Sequence, residues 1–382
     1  MQSRAGAPLR ALMVSEELGT AVTRSMLSLA RSLKEHGHDV VVAVLSAALA
    51  GRDPDPDGVP VITPSDAVQA LEGDARARGA WLGAVAARLE PDVVHVHGAE
   101  AMLAAAAMPP SDGTVVVATL PLRAATGLRS SSAAASLAAH AMIAPSGHEA
   151  AQLQAATGCD PAAVHVIPPA VMLGSCDGGA RRLPRPGRMI GAVSDLVAGA
   201  GVDAFIRAAA RLSTLAPDVT YVVVGDGPER PALEDLAERL EIRSRIGFLH
   251  ERSDMSGLLR RLDVLCLPGA SEATPYAALE AMALGTPIVA ADVGGIEDIA
   301  RPGREALLVA EADDKAMAAQ ACALLEHRLL AWRLAWAARR RVRHHFSVAR
   351  VSALHESLYI ACGEANAVEL KHAEPLQLAV SA

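Results

Sequence analysis

The chain has 382 residues, a formal net charge of −8 and 51% hydrophobic residues, but only 2% aromatic residues. This length predicts about two domains, each large enough to bury its own apolar core. The negative charge argues against a general electrostatic attraction to nucleic acid. The scarcity of aromatic rings argues against recognition of single strands by stacking.

The cysteines and histidines give little sign of metal or redox chemistry. The five cysteines are far apart, and no pair has the spacing of a metal site or a redox motif, so we expect buried thiols in a reducing compartment. His95 and His97 share a predicted strand but have no acidic or cysteine residue beside them, so we expect no metal there. The first residues lack the apolar stretch of a signal peptide, and no run of about 18 apolar residues predicts a transmembrane helix. We therefore expect a cytoplasmic protein with at most peripheral membrane contact.

Strands and helices alternate through the first half of the chain. The first predicted strand is 9–14, and a helix over 21–36 follows it and ends at Gly37. Near-continuous apolar strands separated by helices are typical of a parallel sheet covered on both faces. The further strands predicted in this half are 39–45, 92–97, 114–120, 141–146 and 164–168.

The same alternation resumes after a segment rich in glycine, proline and charge, residues 174–187, which predicts a linker. The predicted strands are 188–193, 219–225, 244–249, 263–268, 287–292 and 305–309. The predicted helices are 202–215, 229–241, 254–261, 275–284, 313–327 and 328–345. We therefore expect two α/β domains, 1–173 and 188–345, then a helix over 346–361 and a poorly ordered tail over 362–382. Two such sheets leave a cleft at the carboxyl ends of their strands, where ligands bind.

One carboxylate stands alone in an apolar segment. In "SEATPYAALEAMALGTP", residues 271–287, Glu272 precedes a predicted helix and Glu280 lies about one and a half turns inside it. Between positions 274 and 291, Glu280 is the only charged residue. Carboxylates are good acceptors for pairs of hydroxyl groups and poor partners for phosphate. Either Glu280 is exposed on a surface helix, or the two glutamates bind the hydroxyl pairs of a nucleotide sugar.

The start of this helix is a candidate phosphate site. Thr274 is a suitable N-cap, and Pro275 suits the first helical position. The amides of Tyr276 and Ala277 would then point into the cleft, where the positive end of the helix dipole favours an anion.

The segment "GDGPER", residues 225–230, allows two interpretations. As a dinucleotide fingerprint it is weak, because the third glycine is missing. Gly225 and Gly227 instead predict a tight turn from strand to helix, and this turn would let the backbone approach a base or a ribose. Plain turn chemistry explains the same two glycines equally well.

The segment 271–287 resembles the signature of glycosyltransferase family 4, in which two glutamates are separated by seven residues in the frame Glu…Leu-Glu-Ala-Met-Ala-x-Gly-x-Pro. The resemblance extends through "VGGIEDI", "GREALLV" and "VVVGDGPERPALEDLAERL", and less specifically through "PDVVHVHG" in the first half. It covers most of residues 9–361. It implies the GT-B fold, an α/β architecture of two Rossmann-like domains. In that fold the first domain binds the acceptor, the second binds the nucleotide sugar, and the helix 346–361 crosses back to the first.

The resemblance also implies roles for particular residues. Glu272 would contact hydroxyls of the donor sugar, and Glu280 would hold those of the ribose. The amides after Thr274 would bind the distal phosphate, with Gly19 and Gly191 beside the diphosphate. The implied reaction is a metal-independent, retaining transfer without a cofactor, from a nucleotide-diphosphate sugar to a saccharide, lipid-linked or small-molecule acceptor. The departing diphosphate is then stabilised electrostatically.

The sequence departs from the family pattern where cations usually bind the diphosphate. Ala192 and Ala200 occupy positions that commonly hold an arginine and a lysine. Candidates to replace them are Arg24, Arg123 and Arg188. The departure supports a second hypothesis, a catalytically degenerate homologue that binds a nucleotide sugar or acts as a scaffold subunit. A nucleotide-sugar epimerase of similar architecture is a third, which fits the glutamate frame less well.

Overall fold

The structure is a computed structural model, and it describes residues 8–16, 21–46, 58–64, 74–109, 113–120, 139–171, 187–250, 255–271 and 273–372. Its strands are β1 Arg10–Ser15, β2 Asp39–Val44, β3 Val61–Ile62, β4 Val93–His97, β5 Val115–Thr119, β6 Ala141–Ala144, β7 Val164–Val166, β8 Arg188–Val193, β9 Val219–Val224, β10 Ile246–Leu249, β11 Val264–Leu267, β12 Ile288–Ala291 and β13 Leu307–Val309.

Helices follow most of these strands, and three consecutive helices follow β13. They are α1 Ala21–Glu35, α2 Ala75–Leu89, α3 Ala99–Ala106, α4 Gly147–Thr157, α5 Val202–Leu215, α6 Arg230–Arg239, α7 Met255–Arg261, α8 Ala273–Leu284, α9 Ile296–Ile299, α10 Asp314–Glu326, α11 Arg328–His345 and α12 Val348–His372. Among the described residues, no helix is both long and apolar enough to cross a bilayer.

The strands form two parallel sheets, as the alternating pattern predicts. The first has the order β3-β2-β1-β4-β5-β6-β7 and the second the order β10-β9-β8-β11-β12-β13. In each sheet the strand order reverses beside the first strand, between β1 and β4 and between β8 and β11. Such a switch point opens a crevice at the carboxyl ends of the strands. The fold class is therefore confirmed as two doubly wound α/β domains.

Both faces of each sheet are covered by helices, which explains the near-continuous apolar strands. In β1, Ala11 and Met13 join the cluster that contains residues of α1 and α12. The alternate residues Leu12 and Val14 join the opposite cluster, with residues of α2 and α3. Successive side chains of a strand point to opposite faces, so a sheet between two helical layers needs apolar residues at every position.

The last helix returns to the first domain. It packs on α1, and its Val351 and Tyr359 are buried in the first domain's core. The hydroxyls of Ser32 and Ser352 are 2.9 Å apart in this interface. The helix runs to His372 rather than ending at 361, so residues 362–372 are helical where the sequence pattern predicted an unstructured tail.

A close contact between two loops of the second domain depends on two glycines. Gly225 and Gly227 have φ angles of +149° and +153°, a region that only glycine enters readily. A Cβ atom on Gly225 would lie 1.9 Å from the Ser194 carbonyl oxygen, and one on Gly227 would lie 2.2 Å from that of Leu196. The Leu196 amide donates to the Asp226 carbonyl at 2.9 Å, which fixes the two loops side by side.

We predict that Gly225→Ala and Gly227→Ala each lower the free energy of unfolding by at least about 2 kcal/mol, because each adds a clash to an unfavourable φ angle. Urea denaturation measures the effect. The matched control is Gly247→Ala in β10, where an added Cβ meets nothing within 4 Å. This control should leave stability unchanged or raise it by up to about 1 kcal/mol. Equal effects at all three positions would show that the close contact between the two loops does not require glycine.

Candidate functional site

An open cavity lies at the carboxyl ends of β8 and β9. We call it the Glu280 cavity. It is bounded on one side by α1 of the first domain and on the other by α8 of the second. Its lining residues are Arg24, Val193, Ser194, Asp195, Val224, Gly225, Asp226, Met255, Ala277 and Glu280.

Glu280 occupies the one side of α8 that faces this cavity. The neighbouring residues Leu279, Ala281 and Met282 are completely buried in the second domain's core. Glu280 itself is only partly buried. An ionised carboxylate is costly to bury without partners, so the wall of a polar cavity is a suitable position for it.

The Glu280 cavity carries more negative than positive charge. Of its lining residues in the described part of the chain, Asp195, Asp226 and Glu280 are carboxylates, and Arg24 is the one cation. Asp226 also contacts the His250 ring and lies 3.7 Å from the Arg230 guanidinium. A wall of this composition suits hydroxyl groups better than phosphate groups.

Of the candidate cations, Arg24 lies in the Glu280 cavity and Arg188 does not. Arg24 projects from α1 into the Glu280 cavity. Arg188 begins β8, at the opposite end of the strand from the cavity, roughly 16 Å away at about 3.3 Å per residue. There it forms a bidentate pair with Asp218, whose Oδ2 accepts from Arg188 Nε at 2.8 Å. This placement contradicts the prediction of Arg188 as a substitute cation. Three predicted residues, Gly19, Arg123 and Glu272, lie outside the described residues.

The helix α8 begins two residues earlier than predicted. The helix begins at Ala273, so Thr274 is inside the first turn rather than at the N-cap. The Thr274 hydroxyl donates to the Gly269 carbonyl at 3.1 Å and accepts from the Ser271 amide at 3.1 Å. These bonds fix the loop after β11 and explain why Thr274 is buried.

The shift changes which amide lies at the helix start. Ala277 is the fifth helical residue, so its amide is placed to bond the carbonyl of Ala273 within the helix. Pro275 has no amide hydrogen, the Thr274 amide donates to the Ser271 carbonyl at 3.1 Å, and the Tyr276 amide is the first one placed to bond a carbonyl four residues back. Pro275 and Tyr276 line a second space, and Ala277 lines the Glu280 cavity.

The predicted glycines of the second domain have packing roles. Gly191 lies within β8, where a Cβ would come within 2.7 Å of the Leu262 side chain. Gly227 allows the contact with Leu196 described above. Gly225 has a similar contact and also lines the Glu280 cavity.

The second space is an open cavity between the two domains, which we call the interdomain cavity. The first domain contributes the residues at the ends of β5 and β6, and the second contributes the starts of α8 and α9. Its lining residues are Val22, Thr119, Pro145, Glu149, Ala270, Ser271, Thr274, Pro275, Tyr276, Val293, Gly294, Ile296 and Ile299. A smaller adjoining cavity shares Val22, Thr119, Pro145 and Tyr276 with it.

A buried histidine cluster lies beside this adjoining cavity; the sequence placed His95 and His97 on one strand but gave no sign that His355 and Tyr359 join them. His95 contacts the Tyr359 hydroxyl at 2.6 Å through Nδ1 and the Thr119 hydroxyl at 2.8 Å through Nε2. The rings of His95 and His97 have centroids 4.1 Å apart, and His355 lies beyond them on α12. His97 and His355 both line the adjoining cavity. In the described ranges, no group of three potential ligands is placed to hold a metal ion.

Burial keeps these histidines neutral. Burial lowers the pKa of His97 to about 3, with a further contribution from His355. It lowers the pKa of His355 to about 4. The pKa of His95 also falls well below its ordinary value, first because of burial and then because of its two histidine neighbours.

Two sequence models of known families match the chain, one in each domain. The model described as Glycosyltransferase Family 4 matches residues 22–174, and the model described as Glycosyl transferases group 1 matches residues 187–327. Together they span most of the described chain.

Curated relatives support the same family. The chain is 36% identical over 145 residues to D-inositol 3-phosphate glycosyltransferase of Corynebacterium urealyticum, covering 36% of this chain and 34% of that protein. It is 36% identical over 176 residues to the enzyme of the same name from Mycobacterium tuberculosis, covering 42% and 36%. The match thus spans about a third of the length of these relatives.

Solved structures share the fold across nearly the whole chain. A glycosyltransferase from Rickettsia africae has a TM-score of 0.73 at 17% identity and covers 93% of this chain and 99% of its own. The Anabaena protein Alr3699/HepE in complex with UDP and glucose has a TM-score of 0.72 at 20% identity, with coverages of 92% and 99%. Sucrose-phosphate synthase from Thermosynechococcus elongatus has a TM-score of 0.75 at 18% identity, with coverages of 93% and 100%.

We predict that the free energy of unfolding falls as the pH is lowered from 7 to 5. The histidines of the cluster stay neutral in the folded chain but take up protons in the unfolded chain below their ordinary pKa of 6.5. The unfolded state then binds more protons, so stability decreases by up to about 1.4 kcal/mol per pH unit for each histidine.

Urea denaturation at several pH values measures this slope. The variant His97→Asn removes one of the titrating groups and should make the slope shallower. A slope that is the same in His97→Asn and the parent chain would contradict a neutral, buried His97.

Proposed function

The chain belongs to the group 1 glycosyltransferases, and from this we propose that it transfers a sugar from a nucleotide-diphosphate sugar to an acceptor with retention of configuration. The observation that carries the proposal is the Glu280 cavity, where Arg24 from one domain and Glu280 from the other line one space. The cavity lies where doubly wound sheets bind their ligands, at the carboxyl ends of the strands. The acceptor is a saccharide, a lipid-linked sugar or a small molecule.

We assign the nucleoside of the donor to the Glu280 cavity. The Glu280 carboxylate can accept both hydroxyl hydrogens of a ribose, and charge-assisted hydrogen bonds of this kind are the strong ones. Ser194 and Asp195 line the same space and bring polar side chains to it. The Alr3699/HepE structures contain UDP, UDP-glucose, or UDP and glucose, so uridine nucleotides are the first donors to test.

The diphosphate is assigned to the space between Arg24 and the start of α8. Arg24 supplies a positive charge, and the amide end of the helix supplies a favourable dipole. Gly19 and Glu272, which precede α1 and α8, keep their proposed roles beside the diphosphate and the donor sugar.

The interdomain cavity is assigned to the reacting end of the acceptor. In the transfer, the bond between the sugar C1 and the diphosphate oxygen breaks, and a bond forms from the acceptor oxygen to C1 on the same face. The acceptor proton passes to the departing diphosphate. The protein positions the two substrates and stabilises the charge of the leaving group. Tyr276 and Thr119 face this cavity from opposite domains and are positioned to orient the acceptor.

One observation favours a second candidate, a homologue that binds a nucleotide sugar without transferring it. Ala192 and Ala200, at positions where related enzymes commonly have cations, are 0% and 1% exposed. They pack into the core and leave Arg24 as the cation among the described lining residues of the Glu280 cavity. A leaving diphosphate with a single cation is stabilised less well.

We predict that Glu280→Gln weakens nucleotide-sugar binding by at least about tenfold, because it removes a charge that accepts two hydroxyl hydrogens. Thermal shift with a panel of UDP-, GDP-, ADP- and TDP-sugars identifies the donor, and isothermal titration calorimetry then measures its affinity. The matched control is Glu238→Gln on the exposed side of α6, which should bind like the parent chain.

A turnover assay with the bound donor separates the two candidates. Release of the nucleoside diphosphate, with or without an added acceptor, supports a transferase. Binding without release supports the non-catalytic homologue. Equal affinity of the parent and Glu280→Gln would contradict the assignment of the Glu280 cavity to the donor in both cases.

A further inference from the structure

The outer side of α11 exposes three large apolar side chains. Leu329, Trp332 and Trp336 are 84%, 66% and 53% exposed, and they make up half of the six large hydrophobic residues exposed in the described part of the chain. Two of the chain's three tryptophans are therefore in contact with solvent on one helix. Their spacings of three and four residues place them on one side of that helix.

Arginines extend and flank this apolar stripe. Continuing the same spacing leads from Trp336 to Arg340 and then to Arg343, both exposed. The Arg340 guanidinium lies over the Trp336 ring, 5.7 Å from its centroid. Arg328 and Arg333 are exposed on the same helix, whose sequence has no acidic residue. This concentration of positive charge lies on a chain with a formal net charge of −8.

The opposite side of α11 packs against the rest of the second domain. Leu334, Ala335, Ala338 and Val342 are buried in the second domain. Arg341 donates from Nε to the Ile299 carbonyl at 2.7 Å, which fastens the helix further. The exposed stripe is therefore held rigidly outward, and nothing in the described part of the chain explains why it is apolar. An exposed apolar patch on a stable surface marks an interaction site.

We propose that this face of α11 binds the surface of an anionic lipid bilayer. Tryptophan prefers the headgroup region, where its ring is in an apolar layer and its N–H is hydrated. Arginines beside an apolar stripe are attracted to anionic headgroups, and the combination is characteristic of helices that lie in the membrane interface. A convex helix side without acidic residues suits a fluid, uniformly negative plane better than a protein surface of mixed charge.

Docking through α11 leaves the cleft accessible. The buried side of α11 packs on α8, and Glu280 lines its cavity from α8. The helix α8 therefore separates the bilayer from the Glu280 cavity. The proposal does not depend on the proposed transferase activity, because it rests on a surface outside the cleft.

Vesicle co-sedimentation tests the proposal directly. The full chain should bind vesicles of 70% phosphatidylcholine and 30% phosphatidylglycerol, and should bind pure phosphatidylcholine vesicles at least tenfold more weakly. Binding should decrease as salt is raised from about 0.05 to about 0.5 M, because the Debye length shortens. Tryptophan fluorescence should shift to shorter wavelength on binding, since the exposed indoles leave water.

Two pairs of substitutions distinguish the apolar and the charged contributions. Trp332→Ser with Trp336→Ser, and separately Arg333→Glu with Arg340→Glu, should each reduce the partition coefficient for anionic vesicles at least tenfold. The matched control is Leu215→Ser on α5, which removes another exposed residue, 71% accessible, and should bind like the parent. Thermal melts of all variants exclude loss of folding as the cause.

Several outcomes would overturn the proposal. One is failure of the parent chain to bind anionic vesicles, and another is equal binding of the parent and the tryptophan variant. Self-association that disappears in the tryptophan variant, with no vesicle binding, would assign the stripe to an interface between copies of the chain. Equally strong binding to soluble heparin that is independent of the tryptophans would reduce the face to a general polyanion site.

Discussion

The candidate site depends on the burial of α8. The helix is enclosed by the second domain's core on the sides of Ala278, Leu279 and Met282, which are completely buried, so a carboxylate there would have to lose its water without compensation. Glu280 is on the remaining side, where a cavity replaces the core. A single acidic residue in an apolar helix is thus consistent with stability only if that side stays polar. The carboxylate can therefore occupy this position in α8 only because the cavity lies beside it.

The opposite wall of the Glu280 cavity, which is formed by α1, is held in place by the last helix, α12. Arg24 is on α1, and α1 is covered by α12, whose Tyr359 bonds His95 and whose Ser352 contacts Ser32. The helix α12 is in turn joined to the second domain, because α11 ends at His345 and the carbonyl of the next residue, Phe346, accepts from the Val171 amide at 3.0 Å. The crossing helix therefore connects the packing of the first domain to the second. Geometry at the Glu280 cavity depends on contacts between residues more than 250 positions apart.

Sequence periodicity was sufficient to predict most strands and helices, but it did not predict the side-chain contacts between them. The long strands and helices were predictable because each buries apolar residues with a regular period, whereas β3 and α9, of two and four residues, are too short to show one. The position of Glu280 followed from the apolar residues around it. Arg188 was a wrong candidate because the predicted strand 188–193 already placed it at the amino end, away from the cleft; its pairing with Asp218 was not readable from the sequence. The spacing of Trp332 and Trp336 was visible, but their exposure depends on which side of α11 the rest of the domain covers.

The most direct test of the central claim is a crystal structure of the chain with the nucleotide sugar that it binds most tightly. The account predicts that both ribose hydroxyls lie within hydrogen-bonding distance of the Glu280 carboxylate, with the diphosphate between the start of α8 and Arg24. A nucleotide bound elsewhere, or one bound in this cavity with its ribose directed away from Glu280, would contradict it.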